Sequence, residues 1–236
     1  MKWSFEEDFI ACKYYLSHVD TWRDHIDKLM NELDKAGFGN RKSGSVIMRL
    51  QNIEHLHTGN GLSNSAKQTQ RIYTAFSQVL KNSTFQSGIQ SFIKNNFDAG
   101  AISIDDALVS TPNNTTSYLP IGTVGPSFQK VLFSFIDASG MKDSEVYNSC
   151  FVGRDTFSHI RKGDRGVSKK TIKQLCFGLK LSYDDAVILM ESAGYAFSNN
   201  SISDLVVVYF LKNRIYDIFA ANAELYERNE ELLFAA

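Results

Sequence analysis

Phe151–Gly163 reads FVGRDTFSHIRKG, and its reading decides the fold of the second half of the chain. Phe151, Val152 and Gly153 form a tight turn. The RDTFSHIRK that follows has Phe157 and Ile160 three residues apart, the spacing of one helix face. Arg154, Asp155, Ser158 and Arg161 then point away from that face. Such a segment is the third helix of a small bundle, and its polar side is free to meet something outside.

Working outward, helical signals lie on both sides. Upstream, SFQKVLFSFIDASG places Phe128, Val131, Leu132, Phe135 and Ile136 on one face, and Gly140 closes the helix. Asp143 opens a short second helix, SEVYNSC, which buries Val146 and Cys150. Downstream, GDRG is a loop, and Ser168 caps KKTIKQLCFGLKL, which buries Ile172, Leu175, Cys176 and Leu179. Asp184 begins a fifth helix.

Charge singles out the same region. The chain carries 25 Lys and Arg against 26 Asp and Glu, a net −1. Residues 128–182 hold 10 basic and 5 acidic side chains, a net +5, while residues 183–236 hold 3 and 9, a net −6. A local basic segment in a near-neutral chain points to a polyanion, or to the acidic tail beside it.

The order helix, tight turn, helix, basic loop, helix over residues 128–192 resembles the Cro/repressor-like (XRE-type) helix-turn-helix family. The resemblance rests on Val146 and Cys150, the Gly153 turn, Phe157 with Ile160, RKG before the loop and SxxTIxxL after it. It implies that helix 154–162 lies in a DNA major groove. Arg154 would then bond a guanine and Asp155 either accept from a cytosine amino group or orient Arg154, with Ser158, His159 and Arg161 along the same helix. Lys162, Arg165, Lys169, Lys170 and Lys173 would neutralise phosphates. One departure stands out. Where the family offers a neutral residue to a phosphate, this chain has Asp143, followed by Glu145. The segment from Glu191 to Glu227 resembles a tail found on a variant group of such domains.

The first 80 residues also read as helical. Ser4 is an N-cap followed by Glu6, Glu7 and Asp8, and Phe5, Phe9, Cys12 and Leu16 recur at helical spacing. A second helix begins at Thr21, with Trp22, Ile26, Leu29, Met30 and Leu33 apolar, and ends at Gly37 and Gly39. A third runs from about Ser43 to near His57. Residues 3–76 resemble the Myb/SANT-like module, and part of them a helical segment found beside HNH endonuclease domains. That resemblance implies a reading helix at Ser43–Arg49, with Arg41, Lys42 and Arg49 on the DNA backbone.

All three prolines, Pro112, Pro120 and Pro126, fall in one uncharged stretch, so residues 81–127 read as a polar connector with a helix near 85–97. The expected architecture is all-α. It has a three-helix domain at 1–80, the connector, and a helix-turn-helix domain with a helical tail at 128–236. The tail, 202–233, has more apolar residues than one small domain needs, which suggests a homodimer surface or completion of the core.

Chemistry is harder to find. Cys12, Cys150 and Cys176 form no CxxC pair, and His55 and His57 point about 200° apart on a helix, so no metal or other cofactor is expected. The acidic N-terminus is unlike a signal peptide, and no apolar run reaches about 18 residues. The expectation is a cytoplasmic, non-enzymatic protein that binds DNA, or RNA, and regulates transcription. The alternative is an adaptor or inhibitor that uses the same scaffold to bind a protein.

Overall fold

The computed structural model describes residues 2–98 and 127–234. Every regular element among them is helical. The helices are α1 (Phe5–Ser17), α2 (Ile26–Lys35), α3 (Ser43–Thr58), α4 (Lys67–Ala75), α5 (Ser83–Asp98), α6 (Phe128–Ser139), α7 (Asp143–Ser149), α8 (Arg154–Lys162), α9 (Lys169–Gly178), α10 (Tyr183–Ser192), α11 (Ile202–Lys212) and α12 (Ile218–Glu227). A 3₁₀ turn, Trp22–His25, leads into α2, and a π-helical turn, Phe76–Leu80, follows α4.

Two compact units form, one of residues up to 87 together with 219 onward, the other of residues 88–218. The division falls inside α5 and at the start of α12, which differs from the expected domains 1–80 and 128–236. The expected helix at 85–97 is α5, longer by two residues at its start and one at its end.

In the first unit α1 is the central element. Ser4 accepts from the Glu7 N–H while the Glu7 carboxylate accepts from the Ser4 N–H, a reciprocal cap that fixes where the helix begins. Phe5, Phe9, Ala11, Cys12 and Tyr15 are all but fully buried, so α1 needs neighbours on nearly every side. Helices α2, α3 and α4 pack on it. The final segment supplies more cover: Phe219 and Phe234 lie 6.0 and 5.6 Å from the Phe5 ring, and Tyr226 lies 4.7 Å from Phe9. Asn222 holds that segment closed, donating to the Phe234 carbonyl and accepting from the Leu233 N–H. Three helices alone would have left this much aromatic surface in water, which is why the unit is larger than the expected 1–80.

In the second unit α6–α10 follow one another in the order the sequence suggests, and α11 closes over them. Leu205, Val206, Val207, Phe210 and Leu211 are buried, with Phe210 6.0 Å from Phe177. The tail on which a dimer surface was suggested therefore buries its apolar residues inside the chain. It exceeded the needs of one domain because its two helices complete two different cores, α11 in the second unit and α12 in the first.

Candidate nucleic-acid interface

The helical pair α7–α8 is set by a strained turn. Phe151 takes a left-handed conformation, φ 55°, which costs a non-glycine residue roughly 1 kcal/mol. The Val152 N–H bonds to the Tyr147 carbonyl, and Gln174 on α9 donates to the Phe151 carbonyl at 3.0 Å. Below the turn, α7 sits hard against α9. A Cβ on Gly178 would stand 2.1 Å from the Cys150 sulfur and 2.7 Å from its backbone, so only glycine allows the approach. Gly163, φ 71°, ends α8, and Ser168 caps α9 by accepting from the Thr171 N–H.

This frame buries Phe157 and Ile160 and leaves Arg154, Asp155, Ser158, Arg161, Lys162 and Arg165 exposed. A groove of about 630 Å³ runs between α7 and α8, lined by Lys142, Asp143, Ser144, Tyr147, Arg154, Phe157, Ser158 and Arg161. A smaller hollow of about 220 Å³ lies between α8 and the start of α9, with His159, Arg165, Ser168 and Thr171 on its walls. His159 Nδ1 stands 2.9 Å from Asp164, so the ring is tied to the loop rather than projecting from the helix.

The two carboxylates of α7, Asp143 and Glu145, are both engaged. Arg161 on α8 forms an ion pair with Asp143 on α7, and its guanidinium also lies 5.5 Å over the Phe133 ring. Glu145 turns back to accept from the Lys142 N–H at 2.8 Å, capping α7.

Several cations expected at phosphates are committed elsewhere. Lys173 is 6% exposed, and its Nζ lies 2.6 Å from Asp204 and 2.9 Å from the Ser203 hydroxyl. Lys169 pairs with the same carboxylate, which also accepts from the Ser198 N–H. Burial drives the Asp204 carboxyl upward, but the hydrogen bonds and charges of Lys169 and Lys173 outweigh it and hold the group below its ordinary value. An acid inside the apolar run of α11 must find a partner, and it finds the two lysines of α9. Lys170 is half-buried.

The first unit departs from its expected interface in the same way. Arg41 pairs with Glu7 at 2.5 Å and donates to the Lys2 carbonyl. Arg49 Nε lies 3.3 Å from Asp8, and its guanidinium bonds to Thr69. Both guanidiniums lie over the Trp3 ring, at 5.0 and 4.8 Å. Gln68 and Thr69 also donate to Asp8. With 8% and 12% of their side chains exposed, Arg41 and Arg49 are tied to Glu7 and Asp8 inside the unit. Of the three cations assigned there, Lys42 is the exposed one. Glu7 and Asp8 respond oppositely. Burial raises both carboxyls; the Arg41 hydrogen bonds and the helix cap bring Glu7 below its ordinary value, while Asp8, more deeply enclosed, stays above its own.

Two of the histidines meet neighbouring tyrosines: His57 contacts the Tyr73 hydroxyl, and His18 stacks on Tyr14 and contacts its carbonyl. Among the described residues no three His, Cys, Asp or Glu side chains gather as a metal site would require, and no helix is long and apolar enough to cross a membrane. The three prolines of the connector, Pro112, Pro120 and Pro126, lie outside the described residues.

Comparison with protein-family models, with curated proteins and with solved structures found no match for this chain. Any functional reading therefore rests on the residues themselves. Lys142, Ser144 and Tyr147 belong to the same groove as Arg154. Lys142 was legible as a lysine directly before a helix, but nothing in its neighbourhood marked it as a wall of that groove.

Proposed function

We propose that this protein binds duplex nucleic acid, most simply DNA as a regulator of transcription, through α8 and the α7–α8 groove. The observation that carries the reading is the division of α8. Its inner face is fixed by Phe157 and Ile160, and its outer face presents Arg154, Ser158 and Lys162 to solvent, with Arg165 just beyond. The strained Phe151 turn and the Gly178 contact hold that face rigidly, as readout of base edges requires. Arg154, on the first turn, has the reach for a bidentate contact with guanine.

The cationic footprint is smaller than composition suggests. Lys169 and Lys173 serve the fold, so with Arg154 reading a base, phosphate neutralisation falls to Lys142, Lys162 and Arg165. Arg154→Ala is expected to weaken binding to a selected duplex by about 1–3 kcal/mol and to relax discrimination at one base pair. Fluorescence anisotropy with a randomised duplex library measures both. No binding by the intact chain at low salt would end this reading.

A second reading draws on the mixed charge of the same surface. Asp143, Asp155 and Asp164 stand among the cations, a pattern suited to a protein partner with its own alternating charges. In that case a protein binds α7–α8 and Arg154→Ala abolishes its capture without any effect of DNA.

A further inference from the structure

We infer that Arg161 is a neutralising and positioning residue, whose task at this surface is to cancel Asp143 so that a polyanion can approach the α7–α8 groove. The inference rests on the nucleic-acid reading above and assigns this residue a different part in it from direct contact. Asp143 opens α7 and lines the groove beside Lys142 and Arg154. Left alone, a carboxylate there would face any phosphate that those two cations attract, and like charges so juxtaposed cost binding heavily.

The geometry points to cancellation. Arg161 lies two turns along α8 from Arg154, yet its guanidinium turns to Asp143 on the neighbouring helix. Phe133 on α6 lies 5.5 Å from it, a second anchor that draws it toward the bundle. Both members of the pair are about half exposed, so neither is needed to fill the core. The other carboxylate of α7, Glu145, is occupied by the Lys142 N–H. Of the four charged side chains that line the groove, Asp143 and Arg161 are paired with each other and Lys142 and Arg154 are left over.

A double-mutant cycle on the full chain tests this. Duplex DNA binding is measured across a salt series for the wild type, Arg161→Ala, Asp143→Asn and the double variant, with thermal melts of each. Arg161→Gln serves as a second probe if the alanine variant melts early. The expected result is a loss of roughly tenfold for Arg161→Ala, recovery to near the wild-type affinity in the double variant, and a wild-type salt slope in that double variant. An equal loss from Arg161→Ala in both backgrounds, with the salt slope shallower by about one, would identify Arg161 as a direct phosphate contact and overturn the inference while leaving the nucleic-acid reading intact. An Arg161→Ala variant that binds like the wild type would also overturn it. Failure of both wild type and Asp143→Asn to bind any duplex at low salt would remove the reading and the inference together.

Discussion

Arg41 and Arg49 in the first unit and Arg154 and Lys162 in the second are the same kinds of residue, in sequences of similar helical character, with opposite fates. The first pair is drawn inside, against Glu7, Asp8 and the face of Trp3. The second pair stays in water on the far side of a helix whose other face is fixed. The difference lies in what precedes each. The first unit places two carboxylates on its central helix, and a buried carboxylate must recruit cations from whatever packs on it. Helix α8 carries only Asp155, at its exposed start. A basic residue is thus drawn inside where an element packed against it carries a buried acid, and Arg154 and Lys162 have none against them.

The largest effects should come from breaking the interior clusters. Asp8→Ala leaves Arg49 enclosed without its carboxylate and should cost about 3–5 kcal/mol in chemical denaturation. Replacing both, as Asp8→Leu with Arg49→Met, should recover most of that loss. Asp204→Ala should be comparably severe, about 3 kcal/mol, because it strands Lys173 in the interior. If Asp204→Ala were instead neutral, Lys169 and Lys173 would not be structural, and their assignment to phosphates would return.

Gly178→Ala acts on the seat of α7. The added carbon meets Cys150 sulfur and backbone together, and the expected cost is about 1–3 kcal/mol, read as a lower denaturation midpoint and weaker duplex binding from a displaced α8. Retention of both properties would mean that α7 can shift without consequence.

Smaller still is the pH effect within the first unit. The Glu7 carboxyl is held below its ordinary value of 4.5, so its contribution is fully present above about pH 4.5 and is lost as pH falls through the folded value. Asp8 runs the other way. Its raised carboxyl gives its contribution at low pH and loses it as pH rises from 3.8 through the folded value. Glu7→Gln should therefore flatten the acid limb of stability below pH 4.5, and urea midpoints across pH 3–6 would measure it. An unchanged limb would show that Arg41 does not stabilise the Glu7 carboxylate.

Local signals were the legible part of this fold. Ser4 and Ser168 cap the helices they were expected to cap, and α8 has the limits that Gly153 and Gly163 set. The stretch Phe5–Leu16 was read as a one-sided helix, yet its density of aromatics meant enclosure on most sides. That enclosure comes from α4 and α12, which local periodicity could not assign. The exposed face of α8 was legible from Phe157 and Ile160 alone. Which cations remain exposed was not, because Asp204 lies 35 residues from Lys169, and Glu7 lies 34 from Arg41. Pairing over such separations depends on how helices pack, and composition registers only the charges.

The central claim is that the available cations are few and lie on α8 and beside it. The salt dependence of duplex binding tests it most directly. About three phosphate contacts, from Lys142, Lys162 and Arg165, predict that log K falls with log salt at a slope of about −2.5 to −3, and that Lys169→Gln leaves the slope unchanged. A slope near −6 or steeper that becomes shallower in Lys169→Gln, or no binding at low salt, would contradict the account.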